Sequence, residues 1–167
     1  MIWAIAVPLL AVLSLLQTTV LRHILLLDGN LDLLLLAVLC WSLLRPEEGM
    51  IWAVLAGFFC DIFTGGPFGV TSIAYLFAAF CISYLHGRLR THSPIVVMAI
   101  ALFGTILAHL VTVALLVVFG RPLEVGYLLM YVTLPTAFLN TLGAVPVYLA
   151  LRPLHRIGVP VLAEDME

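Results

Sequence analysis

From Pro94 to Phe119 the chain carries no Asp, Glu, Lys or Arg, and several other runs are almost as apolar. A segment of that length and character matches the roughly 20 apolar residues needed to cross a ~30 Å hydrocarbon layer. The whole chain follows suit: 64% of its residues are hydrophobic and 10% charged, with a mean hydropathy of +1.23. A soluble domain is about half apolar and a quarter charged, so this chain cannot cover a water-facing exterior with polar groups. It reads as an all-α integral membrane protein. The net charge of −2 points to no nucleic-acid partner. The opening run Ile2–Leu21 is longer than a signal-peptide core and no basic residue precedes it, so it reads as a first membrane helix. Cys40, Cys60 and Cys81 lie singly in apolar runs, as buried small hydrophobes do.

Turn residues divide the chain into six helical segments: Ile2–Leu27, Leu31–Leu44, Gly49–Phe63, Val70–Leu85, Pro94–Phe119 and Val125–Leu151. Pro94 and Pro122 fall at helix starts, where a missing amide proton does no harm. The second and third segments are short for a full crossing, and a re-entrant hairpin formed by these two is the competing arrangement. Together the segments make a six-transmembrane-helix bundle over residues 1–157, followed by a short tail, 158–167. Six crossings put both termini on one side, with Arg45, Arg88, Arg90, Arg152 and Arg156; Arg22 and Arg121 fall on the other. The excess of arginine marks the side of the termini as cytoplasmic.

With that orientation, Asp61 lies near the outer end of the third segment, within "GFFCDIFTGGPFG". Gly49, Ala53, Gly57, Asp61 and Gly65 recur every four residues, so they share a helix face. Small residues in such a stripe let helix backbones approach closely in lipid. Gly66, Pro67 and Gly69 complete a turn after it. Two readings of Asp61 stay open: a structural carboxylate that caps the next helix or pairs with an arginine, and a partner- or ligand-facing group at the outer rim. Either way a partner is needed, because an intramembrane carboxylate costs ~3 kcal/mol or more unpaired. Asp28 and Asp32 lie at the same level, and Arg22 and Arg121 are the basic side chains available there. No dense acidic loop accompanies the three carboxylates, so no metal site and no cofactor are expected.

Deeper in the bilayer, His109 has Thr105, Thr112 and Val113 at helical spacing, and a hydroxyl-bonded neutral imidazole is its expected state. A proton relay would require a second titratable group at that depth, and none is near in sequence. Asn140 shares a face with Thr136 and Ala144 and can form an interhelical hydrogen bond. Pro135 and Pro146 each delete a backbone hydrogen bond, so neighbours must satisfy the freed carbonyls. No catalytic signature is present: GxSxG, HExxH, P-loop and GxGD are all missing. Trp52 stands where a membrane-embedded glutamate protease would place an arginine after Glu47-Glu48, so no enzyme activity is expected.

Three stretches resemble one known family. In "NLDLLLLAVLCWSLLRPEEG" an acidic residue opens a leucine-rich second helix; "GFFCDIFTGGPFG" looks like a G-x-x-x-D-x-x-x-G-x-P-x-G motif; "LPTAFLNTLGAVPVYLALRPL" is similar to a final helix bearing proline and asparagine. The family is the rod shape-determining protein MreD of the bacterial cell-elongation machinery. The resemblance implies a non-enzymatic subunit of the cytoplasmic membrane that binds MreC. It also implies a wider complex with MreB, RodA and a class B penicillin-binding protein. It further implies a fold similar to the substrate-binding components of energy-coupling-factor transporters. That likeness raises a second possibility, a small-ligand-binding or transport subunit, and a general assembly chaperone for membrane helices is a third. The carboxylates and Gly/Pro residues of the outer level suit a partner-docking rim better than an aromatic-lined ligand pocket.

Overall fold

The computed structural model describes residues 3–19, 25–65, 67–88 and 93–157. Its elements are α1 (Trp3–Thr19), a hairpin of β1 (Leu25–Leu26) and β2 (Gly29–Asn30), α2 (Leu33–Leu44), α3 (Pro46–Thr64), α4 (Val70–Leu85) and α5 (Pro94–Val118). A last helical body follows: one turn α6 (Val125–Tyr127), a π-helical stretch Leu128–Thr133, and α7 (Leu134–Ile157). The architecture is all-α apart from the hairpin. Gln17 of α1 meets Asp32, Ser83 of α4 meets Pro46, and Asp28 meets Tyr131. The helices therefore alternate in direction between a hairpin end and an Arg45 end.

The central helix is α2. Every residue from Leu34 to Leu43 is buried, and α1, α3, α4, α5 and α7 surround it. An all-round apolar helix is stable only when enclosed, and this one is enclosed by protein. Its 12 residues span ~18 Å, so it has no need to match a bilayer's thickness. Asp32 caps its N-terminus by accepting the Leu35 N–H at 3.0 Å. Pro46 ends it, because the residue before a proline is pushed out of the α region, and Arg45 sits at φ −140°, ψ 87°.

The third helix is longer than the expected Gly49–Phe63. It has 19 residues, because Pro46 suits a first helical position and Glu47 and Glu48 complement the positive N-terminal end of the helix dipole. Its exit is set by Gly65, whose φ of 66° lets its N–H bond back to the Asp61 carbonyl at 3.2 Å.

Two of the helical bodies, Pro94–Val118 and Val125–Leu154, are long and apolar enough to cross a membrane by length and composition. Only 28% and 33% of those apolar windows are buried within the protein. Core helices of a soluble protein would be mostly enclosed; these show their apolar surface outward, as lipid contact requires. Ala6–Thr19, Leu33–Leu44 and Val70–Leu85 are shorter apolar helices.

The first segment does not continue as a helix to Leu27. Leu25–Leu26 pairs antiparallel with Gly29–Asn30 around a two-residue turn, Leu27-Asp28, and the turn is held by the last helical body. The hairpin forces Leu27, 63% exposed, to a φ of 56°, where a leucine Cβ crowds its own backbone. Asparagine tolerates that conformation better. Leu27→Asn is therefore expected to stabilise the purified protein by ~0.5–1 kcal/mol, read as a raised midpoint in thermal or denaturant unfolding. An unchanged or lowered midpoint would show that the leucine side chain contributes more than its backbone costs.

Candidate functional site

Polar side chains concentrate at the hairpin end, around Asp32. Its carboxylate accepts hydrogen bonds from Gln17 Nε2 (3.1 Å), the Leu35 N–H (3.0 Å) and the Tyr75 hydroxyl (2.6 Å). Its backbone N–H donates to Asn140 Oδ1 at 2.8 Å, and Asn140 Nδ2 donates to Thr105 Oγ1 at 2.9 Å. Gln17 Oε1 accepts the Leu34 N–H at 3.1 Å, one residue along the same helix start. One buried network thus ties α1, α2, α4, α5 and α7 together. Such networks are costly when incomplete and specify a unique packing when satisfied.

The hairpin lies along the last helical body in a row of contacts. The Tyr127 hydroxyl donates to Asp28 Oδ2, the Asp28 N–H donates to the Tyr131 carbonyl (3.2 Å), and the Asn30 N–H donates to Thr136 Oγ1 (3.2 Å). The Asp32–Asn140 bond continues the row. Tyr127 to Tyr131 and Thr136 to Asn140 are α-helical steps of four, but Tyr131 to Thr136 is a step of five. The intervening π-helix absorbs the extra residue: the Leu134 N–H reaches back five residues to the Leu129 carbonyl. In an uninterrupted α-helix Tyr131 and Thr136 would point to different sides. Pro135 has no N–H to offer the Tyr131 carbonyl four residues before it, and that carbonyl takes the Asp28 N–H instead. Gly29 completes the fit, since a Cβ there would come within 2.7 Å of the Thr136 backbone nitrogen.

Asp61, 2% exposed, serves the adjacent turn. Its Oδ2 accepts the Gly69 N–H at 2.8 Å and its Oδ1 the Thr71 N–H at 3.2 Å, the free amides at the start of α4. Gly69, at φ 91°, and Pro67, whose carbonyl accepts the Val70 N–H, shape that turn; Gly66 lies outside the described residues. Asp28, Asp32 and Asp61 therefore have separate hydrogen-bond partners. No arginine among the described residues pairs with them: Arg121 does not, and Arg22 lies outside the described residues. No group of three or more His, Cys, Asp or Glu among the described residues is placed to hold a metal ion.

Gly49, Ala53, Gly57 and Asp61 of the expected stripe are buried, whereas Gly65 is exposed, because it ends α3 in a left-handed conformation and leaves the helix face. A Cβ on Gly49 would meet Ser42 of α2, and one on Gly57 would meet the backbone of Ser72 in α4. Ala53 between them is fully buried. At the Arg45 end, Trp41 and Trp52 stack with ring centroids 4.3 Å apart. Glu48 binds both Trp41 Nε1 (3.0 Å) and Arg45 Nη1 (2.7 Å).

His109 lies with its Nδ1 3.1 Å from Thr133 Oγ1. Both line a cavity of about 220 Å³ that also reaches Asp32, Cys60 and Tyr75. A second titratable group therefore shares the histidine's surroundings, though none is near it in sequence. Asp32 is far from His109 along the chain, and only the packing of α2 against α5 brings them to one cavity.

A family model, that of the rod shape-determining protein MreD, matches residues 1–157. The chain belongs to the MreD family. No curated protein and no solved structure matches it. Membership places this MreD chain in the membrane and in the determination of rod shape. Gln17, Tyr75, Tyr127 and Tyr131 of the MreD hairpin-end network escape a reading by motif, and Thr105, read from sequence as a neighbour of His109, bonds Asn140 instead. The available signal was weak but real for Gln17, a carboxamide inside an otherwise apolar run, which in lipid demands a partner.

Proposed function

We propose that this chain is a non-enzymatic membrane subunit of the cell-elongation complex that builds the peptidoglycan wall of rod-shaped bacteria. It binds an MreC-like bitopic membrane protein and, through it, joins MreB, RodA and a class B penicillin-binding protein. The observation that carries this reading is the family match over residues 1–157. The polar groups support a scaffold rather than a turnover site. Asp32, Asn140 and Asp61 are engaged with backbone amides and neighbouring side chains, which leaves them as fixed struts and not as nucleophiles or bases.

The chain crosses the bacterial cytoplasmic membrane six times with both termini in the cytoplasm. The alternating helix directions and the arginine bias support that topology. The level reached by α2 is also that of α4, since Ser83 near the end of α4 bonds the Pro46 carbonyl at 3.3 Å. Reporter fusions after Arg45, Arg90 and Arg156 are expected to read cytoplasmic, and fusions near Asp28 and Arg121 external. An external signal at Arg90 would refute the topology.

Asp61 acts on the partner through the turn it shapes. That turn carries Phe68, 71% exposed, a bulky anchor held out from the bundle. Asp61→Ala removes the acceptor for two helix-start amides, at ~1–2 kcal/mol, and loosens the turn. The variant is expected to remain in the membrane but to co-purify less MreC-like protein. Co-purification at the wild-type level alongside loss of rod shape would assign the carboxylate a different task.

A further inference from the structure

The 220 Å³ cavity between α2, α4, α5 and the π-helical stretch has an unusual chemical balance. Its polar wall is made by Asp32, Cys60, Thr71, Tyr75, His109, Thr112 and Thr133. Two of the hydroxyl donors on that wall, those of Tyr75 and Thr112, are already engaged. The Tyr75 hydroxyl donates to Asp32 Oδ2 at 2.6 Å, the Thr112 hydroxyl donates to the Ala108 carbonyl at 2.9 Å, and His109 and Thr133 bond each other. Tyr75 and Thr112 therefore keep lone pairs to accept with, next to a carboxylate that no arginine among the described residues neutralises, while the single His109–Thr133 bond leaves one donor of that pair unspent. A second cavity, of about 300 Å³, also touches Cys60 but has no carboxylate in its lining. There the hydroxyls of Ser14, Thr18 and Thr64 all donate to carbonyls of their own helices, leaving acceptors exposed.

The remaining wall of the first cavity is apolar. His109, Thr112, Val113 and Leu116 share one face of α5 at steps of three and four, so the surface passes from polar to apolar along that helix. Val132 and Leu128 face it from the π-helical stretch. The volume equals roughly seven waters at ~30 Å³ each. It suits a group of a few heavy atoms.

We propose that this cavity binds a primary ammonium group on a short apolar body. Asp32 takes the charge, the oxygens of Thr112 and Thr133 accept N–H bonds, and the alkyl part packs against Val113, Leu116, Leu128 and Val132. A neutral alcohol would leave the Asp32 charge without a counter-ion, and a quaternary ammonium has no N–H to donate. The inference is independent of the partner reading, because it rests on the cavity's own lining whether or not another protein docks on the bundle. The ammonium could come from a free aliphatic amine or from an aminolipid headgroup.

The test uses the full-length protein in nanodiscs of phosphatidylglycerol, which carries no amine, with thermal unfolding as the readout. Butylammonium is expected to raise Tm saturably, while butanol and tetramethylammonium do not. Asp32→Asn should abolish the shift. If that variant fails to fold, Thr112→Val, which keeps the side-chain volume, should weaken apparent affinity about threefold or more. In phosphatidylethanolamine nanodiscs, a Tm already raised and insensitive to butylammonium identifies the headgroup as the source; a persisting response identifies a free amine. Absence of a butylammonium response in phosphatidylglycerol, or an equal response to butanol, overturns the proposal.

Discussion

Gly57→Leu is expected to unfold the isolated protein at a markedly lower temperature, by a loss exceeding the ~1–3 kcal/mol typical of overpacking. The reason is which atoms stand in the way. A Cβ on Gly57 meets the Cα and backbone nitrogen of Ser72, the latter at 2.5 Å, so α3 and α4 must separate before any larger side chain fits. These two helices form the most extensive helix pair in the bundle. Trimming the neighbour should not help: Ser72→Gly in the Gly57→Leu background leaves the obstructing backbone in place. Gly57→Ala should already cost ~1–3 kcal/mol. Thermal unfolding of the purified variants without any partner decides the matter. A leucine variant as stable as the wild type, but unable to form the complex, would mean that the stripe serves a partner's helix and not α4.

The second large effect is expected at Asn140. Asn140→Leu removes the acceptor of the buried Asp32 N–H and the donor to the buried Thr105 hydroxyl. Leaving buried polar groups unsatisfied costs ~1–3 kcal/mol each, so a loss of ~2–4 kcal/mol follows, discounted where lipid-phase measurements find weaker interhelical bonds. The double variant Asn140→Leu with Thr105→Val should recover part of the loss, because a pair replaced on both sides no longer strands a group. Recovery must be incomplete, since the Asp32 amide stays without its acceptor. Additive losses in the double variant, measured by denaturant titration, would show that Asn140 and Thr105 are not energetically coupled.

Much of this protein is legible in its sequence because lipid imposes simple rules on a chain. The membrane setting, the helical segments and their approximate ends follow from apolar runs broken by Pro46, Gly65, Pro94 and Asp28-Gly29. So does the need of Asp32, Asp61 and Asn140 for partners, since an unpaired polar group costs several kcal/mol in hydrocarbon wherever it sits. The stripe Gly49, Ala53, Gly57 announces a close helix contact by composition alone, though not with which helix. The identity of the partners was beyond sequence reading. Asp32 meets Tyr75 across 43 residues and Asn140 across 108, and no local pattern encodes distances of that order. The hairpin replaces a helical extension because its amides are received by Tyr131 and Thr136, and those two align only through the π-helical register shift. Helix α2 escapes the length rule for membrane helices because five neighbours enclose it, a property of the assembled bundle. The cost of burying a polar group is thus written in each residue, whereas the group that relieves that cost is chosen by tertiary packing, which alone decides what lies within hydrogen-bond reach.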